Sequence, residues 1–198
     1  MPLALSALWR GTRTLGIVLL GLAAASAAYL WWGIANAALL AIIGCLGSAV
    51  ALGLLYDTRR PLRFKSVPLT LGYLALFAVY AVGVIAARDV AMTLVGTDTD
   101  ATVARTWTTG GTKGKPQHRC TLHHPDGTPI PRELGTNCEG HSVGDTIPIV
   151  LDPAGHFAPI SGPKSDMDTV GELQVTATAG FVLLLSIALG TPPKRARQ

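Results

Sequence analysis

A chain of 198 residues that is 49% apolar and only 14% charged is too poor in charge for a soluble domain, where about a quarter is usual. Its net charge of +4 suggests a nucleic-acid partner, but the basic residues lie beside apolar runs and form no groove-binding patch. Nucleic acid is therefore excluded, and the chain divides between two solvents, lipid and water.

Residues 1–13 read as a cytoplasmic N-terminus bearing Arg10 and Arg13. Residues 14–32, 34–56, 67–87 and 173–190 are four apolar runs, each close to the ~20 residues needed to cross a ~30 Å bilayer core as a helix. Backbone polar groups in lipid must pair within the segment, so each run is expected to be α-helical. The first run has a rival reading. Arg10, Arg13 and the small residues 23–28 resemble a signal peptide with an Ala-Ser-Ala cleavage site, which would leave three helices. The apolar run continues through Trp32 and a second follows at once, which favours an uncleaved helical hairpin.

Basic residues fix the expected path. Arg10 and Arg13, then Arg59, Arg60, Arg63 and Lys65 in the 57–66 loop, then Lys194, Arg195 and Arg197 in the 191–198 tail all fall on one side if the termini are cytoplasmic. Trp31 and Trp32 then lie at the opposite interface, where amphipathic rings are favoured. The expected location is a bacterial cell membrane, with residues 88–172 extracytoplasmic. Ser66 and Pro68 suit the start of the third helix, and Pro192 and Pro193 suit the end of the fourth. Gly44/Ser48 and Gly47/Ala51 are small-xxx-small pairs that let a neighbouring helix approach closely; alanine- and glycine-rich composition alone explains them equally well. No helix carries a charge near its centre, which argues against a pump or ion-coupled transporter.

The insert at 88–172 is acidic and reads as β. Residues 101–108 alternate around Val103, Arg105 and Trp107; 110–116 form a loop; 117–124 are a second strand. Asp126-Gly127 marks a turn before a short third strand at 128–134. Gly144-Asp145 turns into an apolar strand at 146–151, and Asp152-Pro153 turns into a last strand near 156–160. The expected fold class is four transmembrane helices plus a small all-β domain of about five short strands, as a sandwich or partly open barrel. Its core is thin. Cys120 and Cys138, on an oxidising side, are expected to staple it with a disulfide; a thiol or metal site is the alternative. Cys45 reads as a buried small hydrophobe.

Cys120, Asp126-Gly127, Gly144-Asp145, the apolar strand 147–151 and Asp152-Pro153 together resemble the small β domain of a bacterial membrane-protein family of unknown function. The resemblance covers residues 101–160 and rests on turns. It implies a fold and a place between transmembrane helices, and carries no activity. The helical hairpin before the third helix goes beyond that family's minimal layout.

The chemistry on offer is thin. His118, His123, His124, His141 and His156 gather in the insert without a familiar metal spacing. Parity puts His118 and His124 on one strand face and His123 on the other. Gly110 to Pro116 mimics a phosphate loop but fails on spacing, with Pro116 where Ser or Thr belongs. Ser142 and Ser161 lie in no nucleophile elbow. The expectation is a non-enzymatic membrane protein without cofactor or metal. Its β domain would bind an envelope protein or its own copy, by strand addition at exposed edges. The alternative is a metal-dependent or pH-sensing protein or enzyme using the histidines.

Overall fold

The computed structural model describes residues 2–57, 66–110 and 116–191. Arg59, Arg60, Arg63, Lys65, Lys194, Arg195, Arg197, Pro192 and Pro193 lie outside them, as does most of the 110–116 loop. Four α-helices, α1 (Pro2–Trp32), α2 (Ile34–Tyr56), α3 (Ser66–Val95) and α4 (Thr169–Gly190), accompany four strands, β1 (Thr97–Thr109), β2 (Gln117–His123), β3 (Thr146–Leu151) and β4 (Ile160–Ser161). All four helices are long and apolar enough to cross a membrane. The chain divides into two compact units, one built from the helices and one from residues 88–169 with the α1–α2 junction at 30–34.

The helix ends differ from expectation in an instructive way. α2 matches residues 34–56, but α1 starts at Pro2, α4 at Thr169, and α3 runs on to Val95. Charge ends an apolar run, but it does not end a helix. Arg88 and Asp89 neutralise each other at 2.6 Å, and nothing breaks the helix until glycine. At Gly96, just past the end of α3, a Cβ would lie 2.6 Å from the Met92 carbonyl oxygen, so the position has room only for glycine. Gly33, at φ 86°, makes the one-residue break between α1 and α2.

Inside the helical unit, side chains from different helices meet at two polar nodes. The Tyr80 hydroxyl of α3 donates to the Val18 carbonyl of α1 at 3.1 Å, which leaves Ser48 of α2 to donate to Tyr80 at 3.2 Å. Gly21 and Gly44 make room for this ring, and a Cβ on Gly44 would lie 3.1 Å from the Gly21 Cα. The Gly44/Ser48 pair is thus a close-approach site, whereas Gly47 faces open space. The second node joins Tyr56 of α2 to Ser186 of α4, and Ser186 donates to the Pro68 carbonyl of α3.

The β unit is a single curled antiparallel sheet of order β2-β1-β3-β4, a half-barrel, which fits the partly open barrel expected and not the sandwich. Among the described residues it has four strands rather than five. Segment 128–134 makes only an isolated bridge, His123 to Pro129, because Pro129 and Pro131 have no N–H for a ladder. Ile130, Leu134 and Cys138 nevertheless donate to the carbonyls of Leu122, Cys120 and His118, so this segment covers the outer edge of β2. It also reaches β4: Gly135 donates to Pro159, and Thr136 bonds Ser161. The expected last strand shrinks to Ile160–Ser161, since the N–H groups of His156 and Phe157 are spent on the Asp152 carboxylate.

Candidate functional site

The core of the β unit holds Ala101, Val103, Leu122, Ile130, Leu134, Ile147 and Ile149 around a Cys120–Cys138 disulfide with a Cα–Cα distance of 6.0 Å. Both cysteines are buried. The bridge ties β2 to the loop that follows the edge-covering segment. A second small core, Met92, Val150 and Ile160, packs the end of α3 onto the other side of β3.

Each sequence turn is built by a carboxylate. Asp126 accepts from the Thr128 hydroxyl at 2.6 Å and its N–H at 2.9 Å; with His124 nearby, these hold its carboxyl below the usual range. Gly127 sits at φ 85°. Asp145 accepts from the Ser142 N–H, with Gly144 at φ 97°. Asp152 is buried, which acts to raise its pKa, but N–H groups of Ala154, His156 and Phe157, with His156 beside them, outweigh burial and lower it. Pro153 occupies the exposed corner of that turn.

A cavity of about 140 Å³ is lined by His124, Ile130, Arg132, Asp152 and Phe157 among others. Two of its polar side chains are committed to backbone: Asp152 to its own turn, and Arg132 to the Gly155 and Trp31 carbonyls. The five histidines are dispersed. His118 and His123 lie on opposite faces of β2, His124 has left the strand to donate its N–H to Thr128, and His156 is 70% exposed. Among the described residues no group of three His, Cys, Asp or Glu side chains is placed to hold a metal ion.

The parity reading of β1 fails at one residue. Val103 pairs with Leu122 but Arg105 pairs with Thr121, so Ala104 is an extra residue, a β-bulge. The bulge leaves Val103 facing the core and turns Arg105 and Trp107 to the outer face. There Arg105 lies over the Trp107 ring, 5.7 Å from its centroid, and Trp107 is directly opposite Arg119. Arg119 also reaches Glu133 at 3.1 Å. The local sequence gives one hint of the bulge, that apolar Ala101 and Val103 share their parity with a charged Arg105.

No family model, curated protein or solved structure matches this chain.

Proposed function

We propose that this is an integral protein of a bacterial cell membrane, with cytoplasmic termini and an extracytoplasmic β domain that serves as a non-enzymatic partner-binding module. The apolar outer surface of the helical unit carries the membrane assignment. Leu20, Leu46, Leu54, Leu74, Phe77 and Phe181 are all more than 60% exposed, while Ser48, Tyr80, Tyr56 and Ser186 are buried. Such a surface is costly in water at about 25 cal/mol per Å² and costs nothing against lipid chains. The Cys120–Cys138 bridge supports an oxidising location for residues 88–172, and the basic clusters in the sequence support cytoplasmic termini. The turn pattern supports kinship with the bacterial membrane-protein family that the insert resembles. A binding role is supported by a site whose carboxylates are occupied in holding turns and whose outer face presents Arg105, Trp107 and Arg119 to solvent.

Thiol labelling in intact cells tests the topology. In a Cys45→Ser background, an impermeant maleimide is expected to label Cys120 and Cys138 only after treatment with an impermeant reductant. Labelling without reduction, or only after lysis, overturns the assignment.

A further inference from the structure

Strand addition needs an open edge, and the β unit has few. The outer edge of β2 is covered by residues 130–138. β4 is two residues long and is tied to Gly135 and Thr136. β3 covers β1 only through Thr97–Thr102, and the neighbouring turn reaches one residue further, with Val103 bonded to Gly144 and Asp145. Beyond Val103, β1 keeps β2 on one side, and on the other no backbone hydrogen bond is made among the described residues. Alternate residues of 104–109 therefore present unpaired N–H and C=O groups, a template for an extended chain.

The chemistry beside this edge is selective. From Ala101 to the end of β1 and along β2 the chain carries Arg105 and Arg119 and no Asp or Glu, although the insert as a whole is acidic. The bulge at Ala104 sets Arg105 and Trp107 on the outer face, so a strand laid along β1 would place every second side chain beside them. Cross-strand neighbours stand about 5 Å apart, within ion-pair reach for long side chains.

We infer that the outer half of β1, residues 104–109, is a docking edge for an extended acidic segment of a partner protein, which adds as a strand and sets its carboxylates beside Arg105. This rests on the binding role proposed above and names its site and partner chemistry. Main-chain bonds supply affinity, and the alternating acids supply choice of partner and of face.

The test uses the full chain in lipid nanodiscs and a fluorescent dodecapeptide of alternating threonine and glutamate. Two further versions carry N-methyl groups on either the threonines or the glutamates. Strand addition turns only alternate N–H groups toward the protein, so one methylated form is expected to lose binding and the other to keep it. Arg105→Glu is expected to weaken binding about tenfold, and Arg105→Lys to change it by less than about threefold. Equal binding of both methylated peptides marks simple charge adhesion, as to an anionic polymer, and overturns the proposal. So do absence of binding and equal binding of a threonine–lysine peptide. The thiol-labelling result is independent of each outcome, so failure here is separable from failure of the topology.

Discussion

The helical unit and the β unit solve the same problem with different surfaces. In the helical unit many large apolar side chains face outward, and the interior sets Ser48–Tyr80–Val18 and Tyr56–Ser186–Pro68 among buried Leu52, Leu76 and Leu183. In the β unit the apolar residues face inward around a covalent bridge, and charge faces out. With the helices in lipid, as proposed, stability in the first would come from close approach and a few internal hydrogen bonds, because lipid offers no hydrophobic drive between helices. In the second it comes from burial, and the small core needs its staple.

The disulfide gives the largest expected break in this comparison. Cys120 and Cys138 are 18 residues apart, and opening that loop is expected to cost the β unit about 3 kcal/mol on the chain-entropy model. Cys120→Ala/Cys138→Ala should lower the denaturant midpoint of tryptophan and protease signals from the β unit. Helical circular dichroism should persist in the same sample. Simultaneous loss of both signals would show that the two units do not hold their structure separately.

Packing in the helical unit comes next. Gly44 and Gly47 belong to the two small-xxx-small pairs of α2, but a Cβ on Gly44 would lie 2.8 Å from the Tyr80 ring while one on Gly47 would meet nothing. Gly44→Leu should destabilise the bundle by about 1–3 kcal/mol through overpacking. Gly47→Leu should stay within about 0.5 kcal/mol. Unfolding in mixed micelles measures both, and equal effects would sink the close-approach role of Gly44.

That pair also shows what sequence could reveal. Apolar run length located all four helices, each long enough to cross a membrane, and α2 ends where its run ends. It missed the end of α3 because Arg88 and Asp89 pair with each other and leave the helix intact. Turn chemistry placed Asp126-Gly127, Gly144-Asp145 and Asp152-Pro153, since a carboxylate and a positive-φ glycine act locally. The strands fared less well for nonlocal reasons. Prolines at 129 and 131 left an edge cover where a strand was expected, and Asp152 captured the N–H groups that a last strand required. The candidate binding face depended on a bulge set by pairing with β2, which no count along β1 contains.

Asp152 distinguishes the units by pH. Its carboxyl is held below its ordinary value, so the stabilisation is complete above that value, near pH 4, and is lost as pH falls through the lower folded value. Asp152→Asn should cost about 1–2 kcal/mol at neutral pH, because one oxygen becomes an NH₂ facing backbone donors. It should also flatten the acid limb of β-unit unfolding. An acid limb as steep as that of the unsubstituted protein would assign it to other carboxylates.

The smallest effect is expected at Arg119 and Glu133, which bond at 3.1 Å on the surface with side chains 44% and 46% exposed. Such pairs contribute between nothing and about 1 kcal/mol, since water screens them and two long side chains must be ordered. Glu133→Gln should therefore change β-unit stability by less than about 0.5 kcal/mol. Arg119 lies on β2, across β1 from the open edge, so the acidic dodecapeptide is expected to bind Glu133→Gln within about twofold of the unsubstituted protein at low salt. A larger gain in binding would bring Arg119 into the docking face beside Arg105.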